Sequence, residues 1–182
     1  MVPYDPAWPA AFRKEADALR RVFGDSLESV HHIGSTSVPG LPAKPVIDIL
    51  AVLEGAADVP RFDAGIAGLG YRVRGECLDA GGTPGRFYYS KPVRGERTHH
   101  LHVCNAGHWQ IPELTGFARY LREHADVAAE YGRLKVAAAE HEYDNVGYMA
   151  RKHEWIRATV RAAMVHYDVP RGSAETRTAG TS

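Results

Sequence analysis

The 182-residue chain is long enough for one domain with a substantial core, and its 45% apolar content is ordinary for a soluble globular protein. Its 22 Lys and Arg balance 22 Asp and Glu, so no overall field draws the chain to nucleic acid or to an anionic membrane. No stretch reaches the roughly 18 apolar residues of a membrane span, no signal peptide precedes Tyr4, and Cys77 and Cys104 lack metal-ligand spacing; this reads as buried free thiols in a reducing, cytoplasmic setting.

In chain order, Asp5-Pro6 is expected to start a helix whose stripe is Trp8, Phe12, Leu19, Val22 and Phe23, with Gly24 as its stop. Leu27 to Ile33 reads as the first strand. A loop of small residues and prolines then leads to Val46 to Leu53, a strand apolar on both faces except at Asp48. Asp58 and Pro60 repeat the helix start, Phe62, Ile66 and Leu69 form its buried face, and Gly70 closes it. Tyr71 to Cys77 is expected as a strand and residues 78–85 as a glycine-rich turn. Arg86 to Lys91 and Thr98 to Cys104 complete five strands around a turn at Arg94-Gly95-Glu96. From Pro112 onward the pattern is helical: Leu114, Phe117 and Leu121, then Val127, Tyr131, Leu134 and Ala138, then a long helix from about Asp144. Residues 1–168 are read as one α/β domain, a mixed sheet of about five strands flanked by helices with a helical C-terminal portion, and 169–182 as a disordered tail.

Asp48 concentrates the chemical interest. An unpaired buried charge costs several kcal/mol, so this carboxylate needs a cation or metal beside it, or a cleft at its strand end. Upstream, Gly34 lets the backbone approach an oxyanion, and the hydroxyls of Ser35, Thr36 and Ser37 are donors for phosphate oxygens. Downstream, alternation points His100 and His102 to one face of a strand and His99 to the other. If that strand neighbours the Asp48 strand, Asp48, His100 and His102 make a two-His, one-carboxylate set suited to a divalent metal such as Zn or Mn rather than Mg alone. The alternatives are histidines that simply hydrogen-bond to Asp48 and the backbone, or an acid or base role for His102 beside Asp48. Lys44, Arg86, Lys91 and Arg97 flank these segments and are candidates to grip an anion; Tyr88 is placed to line the same cleft.

The run His32-Ile33-Gly34-Ser35-Thr36-Ser37-Val38-Pro39-Gly40-Leu41-Pro42-Ala43-Lys44-Pro45-Val46-Ile47-Asp48-Ile49 resembles the signature of the GrpB family, a branch of the polymerase-beta-like nucleotidyltransferase superfamily. Tyr4 to Trp8, Arg97 to Val103, Phe117 to Leu121, Tyr131, Lys135, Tyr148 and Lys152 carry the likeness over residues 2–163, and it extends to the segment fused to some dephospho-coenzyme A kinases. The resemblance implies a nucleotidyltransferase-like fold, with Gly34-Ser35 against nucleotide phosphates, Asp48 as the first metal-binding aspartate and Mg, Mn or Zn as cofactor. It also implies a second carboxylate two residues on, where this chain has Leu50, and an acid where it has Arg119. Three functional expectations follow: binding of a nucleotide or other phosphorylated small molecule with metal-dependent nucleotidyl transfer; a ligand-binding or regulatory module that has lost transfer; or a small-molecule enzyme using the histidine pair.

Overall fold

One mixed sheet organises the chain, with strands β1 (Leu27–Ile33), β2 (Ile47–Leu53), β3 (Arg72–Gly75), β4 (Arg86–Val93) and β5 (Glu96–Asn105) in the order β1-β2-β5-β4-β3. The structure, a computed structural model, describes residues 1–55, 57–78, 82–140 and 145–169, with side chains omitted for 138–140 and 145–151. Of the expected tail at 169–182 all but residue 169, together with residues 79–81 of the glycine-rich turn and the side chain of Tyr148, fall outside what it describes.

The β2 and β5 strands pair in parallel and every other neighbouring pair is antiparallel. A parallel pair in mid-sheet needs cover on both faces, which is why β2 is apolar almost throughout. Helices α1 (Trp8–Phe23) and α2 (Asp63–Gly68) cover one face, where Trp8, Leu19, Phe23 and Ile66 pack on Ile49, Ala51, Tyr89, Leu101 and Val103. On the other face, Ile111 and Leu114 of α3 (Gln110–Glu123) cover Ile33, Leu50, Val52 and Cys104. Helices α4 (Ala125–Glu140) and α5 (Asn145–His166) join α3 around Val38, Leu41, Leu121, Ala128 and Tyr131.

Several boundaries differ from the sequence reading for local reasons. The Asp5 carboxylate accepts from the Ala7 N–H at 2.8 Å, forming a turn of its own, so the first helix begins three residues later at Trp8. Residues Val59–Phe62 form a 3-10 turn, which leaves α2 only six residues. Strand β3 ends at Gly75, where φ is +64° and the register shifts, so Cys77 lies beyond the strand and donates its thiol to the Arg74 carbonyl. Cys104 is buried, and both thiols are free. The β4–β5 hairpin turns on Arg94 and Gly95, both at positive φ, as a two-residue turn matched to strand twist requires. No helix among the described residues is long and apolar enough to cross a membrane.

Candidate functional site

Register fixes which side chains share a face. Asp48 lies opposite Ile33 on β1 and His100 on β5, and His100 lies opposite Ser90 on β4. The adjacent row is His31, Leu50, His102 and Tyr88. Asp48, His100 and His102 therefore share the α3 face, and the parallel pairing brings Asp48 directly beside His100. The His100 Nδ1–H donates to Asp48 Oδ1 at 3.0 Å, and the carboxylate is 29% exposed near the start of its strand. Tyr88 covers the histidine pair, stacked on His102 at 5.3 Å and edge-on to His100 at 5.5 Å. Beneath it His100 Nε2 and His102 Nδ1 are buried with no hydrogen-bond partner among the described residues. Each such orphan costs about 1–3 kcal/mol, the kind of penalty that survives where side chains serve something other than stability. Burial, followed by the nearby Arg86 charge, pushes His102 down to about 4 against the pull of Asp48.

The turn before β2 is built to receive the carboxylate. Gly34 has φ +67°, and a Cβ there would overlap Asp48 Oδ2 and lie 2.9 Å from the Asp48 Cβ and Cγ. Residues Ser35–Ser37 form a 3-10 turn in which the Ser37 hydroxyl donates to the Gly34 carbonyl at 2.7 Å and accepts from Arg122 at 3.2 Å. The buried Thr36 hydroxyl donates to the Val46 carbonyl, so its bond to His32 Nε2 at 3.0 Å makes that nitrogen the protonated one. His32 faces α1, stacked on Phe12 at 4.7 Å, and burial lowers its pKa to about 4. Thr36 and Ser37 thus spend their hydroxyls on the turn, on His32 and on Arg122 of α3, and the Ser35 hydroxyl bonds to the Tyr131 phenol of α4.

Three lysines lie near one another, and the charge of Asp48 reaches one of them, Lys135. Lys135, buried on α4, donates to the Pro42 carbonyl at 2.7 Å and sits over the Tyr131 ring. Burial and then the charge of Lys152 lower it to about 8, while Asp48 pulls it up. Lys152, from α5, is itself lowered by burial and by the charge of Lys44. No carboxylate among the described residues forms a salt bridge with any of the three.

One sequence expectation is corrected here. Lys91 points to the opposite face, where it pairs with the buried Glu15 at 2.8 Å, so it does not join the anion-gripping set. Among the described residues no three His, Cys, Asp or Glu side chains are grouped to hold an ion together, and the set of Asp48, His100 and His102 stays an expectation: His100 gives Nδ1 to Asp48, and His102 lies under Tyr88 near Arg86. Of the other expected residues, Lys44 is exposed beside Lys152, and Arg86 projects on the Tyr88 face toward His102. Arg119 lies on the outer surface of α3, bonded to Glu123 and over the Tyr167 ring.

The Lys91 assignment is testable. Lys91→Met should lower stability by about 3–5 kcal/mol by stranding Glu15, measured by urea unfolding, and leave anion affinity of the folded protein unchanged. The two depressed histidines predict acid sensitivity. The unfolded chain takes up their protons near the ordinary 6.5 while the folded chain resists until about 4, so stability is full above 6.5 and is lost as pH falls through that window. Thermal melts from pH 7 to 4 should show the midpoint falling steadily.

A mixed open sheet with helices on both faces defines an α/β protein. The chain belongs to the GrpB family, whose model, described as GrpB protein, matches residues 1–162. It is similar to a crystal structure of the conserved protein GrpB from Enterococcus faecalis, at 36% identity and a TM-score of 0.80, over 91% of this chain and 98% of that one. It is 37% identical to UPF0157 protein YqkA of Bacillus subtilis over 86% of its own length but 45% of YqkA, so it spans less than half of that relative. A dephospho-CoA kinase of Mycolicibacterium paratuberculosis is 30% identical over 90% of this chain and 45% of that protein.

Sequence reasoning did not assign Tyr131 or Lys135 to the site. The available signal was their spacing: Lys135 follows Tyr131 by four residues on the apolar stripe of α4, where an unpaired lysine is out of place.

Proposed function

We propose that this cleft binds a small phosphorylated molecule, such as a nucleotide, with a phosphoryl group held by Lys135, Lys152 and Lys44 and by the Ser35 hydroxyl. The observation that carries the reading is the buried Lys135, kept beside the like charge of Lys152, itself beside Lys44, with no carboxylate partner among the described residues. Such a cluster repels itself until an anion arrives, and charge-assisted bonds to phosphate oxygens are among the strongest a protein makes. Asp48 has two tasks in this reading: its charge keeps Lys135 protonated despite burial, and its carboxylate orients His100. The balanced charge of the whole chain favours a small ligand over a polymer. A relative named dephospho-CoA kinase acts, by that name, on a small molecule, in keeping with this.

Binding without two-carboxylate transfer chemistry is the form best supported, because Leu50, where a second carboxylate would stand, is fully buried under α3. Calorimetric titration with ATP and with inorganic pyrophosphate, each with and without Mg, tests the proposal. Wild type should bind, Lys135→Met should bind at least about tenfold more weakly, since one charge-assisted bond is worth about 1.5–3 kcal/mol, and affinity should fall as pH rises through about 8. Equal binding by wild type and the variant would refute it.

A further inference from the structure

The same face carries a second group of unpaired cations at its β3–β4 end. The Arg74 Nε–H donates to Ser90 Oγ at 3.4 Å, and the charges of Arg74 and Arg97 both reach the Tyr88 hydroxyl, which also hydrogen-bonds to Arg97. Arg86 stands two residues before Tyr88 on the same strand, with its charge felt by His102 and Cys104. None of the three has a carboxylate partner among the described residues. Guanidiniums gathered on a neutral phenol repel one another, and their planar forks match a phosphate or carboxylate that would sit between them. One strand, β5, separates the strand of Asp48 from that of Tyr88, and Tyr88 lies in the row next to that of Asp48.

Building on the phosphoryl seat described above, we infer that the ligand carries a second anionic group, seated by Arg74 and Arg97 at Tyr88 with Arg86 on the same strand face. The ligand class is a small bis-anion, a molecule with phosphoryl groups at two separated positions. One small anion does not reach both the lysine and the arginine cluster, whereas two tethered anions engage both with a high effective concentration for the second.

The test uses the intact chain and calorimetric titration at fixed ionic strength. One series is α,ω-alkane bisphosphates of increasing spacer length; the other is the alkyl monophosphates of matching length. Bisphosphates beyond a minimum spacer length should bind at least about tenfold more tightly than the monophosphates of matching length. The double variant Arg86→Gln, Arg97→Gln should bring the bisphosphates back to monophosphate affinity while leaving the monophosphates unchanged, with its melting temperature confirming the fold. If bisphosphates gain nothing at any length, or if the double variant weakens both series alike, the second seat does not exist. Monophosphate binding that ignores Lys135→Met would instead overturn the first seat, so the two failures are distinguishable.

Discussion

Leu50→Asp should unfold the protein. The position lies on the same face as Asp48, two residues along β2, where nucleotidyltransferases of the resembling type carry a second carboxylate. Here Leu50 is fully buried among Ile33, Val52 and Cys104, roofed by Ile111 and Leu114 of α3. Replacing it removes a buried aliphatic side chain, about 2–5 kcal/mol, and leaves a charge with no water and no designed partner, several kcal/mol more. The sum rivals the total stability of an ordinary domain, about 5–15 kcal/mol. Circular dichroism at neutral pH should show a collapsed melting transition, while the volume-conserving Leu50→Met should cost less than about 1.5 kcal/mol. A folded Leu50→Asp protein would mean that the cleft extends to position 50 and that the missing carboxylate is a small evolutionary step away.

Gly34→Ala should be strongly damaging for the addition of a single methyl group. At φ +67° an alanine is strained by about 1–2 kcal/mol, and its Cβ would fall on the Asp48 carboxylate. Overpacking adds about 1–3 kcal/mol, and relief comes only by swinging Asp48 away from Gly34 and out of its bond to His100. Urea unfolding should show a loss of roughly 2–5 kcal/mol, and the folded fraction should have lost most of its pyrophosphate affinity. Wild-type affinity in this variant would show that the position of Asp48 is irrelevant to binding.

What was legible in the sequence follows from the range of each signal. All five strands showed because alternation and the double-faced apolar run of β2 are local patterns. The common face of His100 and His102 was equally local. That Asp48 meets His100 follows only from the parallel β2–β5 pairing, which residue spacing does not encode. Lys91 was misplaced for the same reason: strand β4 can present it to either face, and its partner Glu15 comes from the first helix, 76 residues earlier. Lys135 and Lys152 come from two different helices, so their approach to each other, and that of Lys135 to Asp48, exists only in the tertiary structure. The short α2 and the late start of α1 reflect turn hydrogen bonds that compete with a helix at Asp5 and at Asp58.

The most direct measurement of the central claim is residue-resolved NMR of the labelled protein as ATP is added. Signals of Ser35, Asp48, His100, Lys135 and Lys152 should shift together with one dissociation constant, while Glu15, Lys91 and His99 on the opposite face stay still. Shifts confined to the apolar groove of about 770 Å³ between Val38, Leu41, Leu121, Ala128 and Val136, or no shifts at millimolar ATP, would contradict the account.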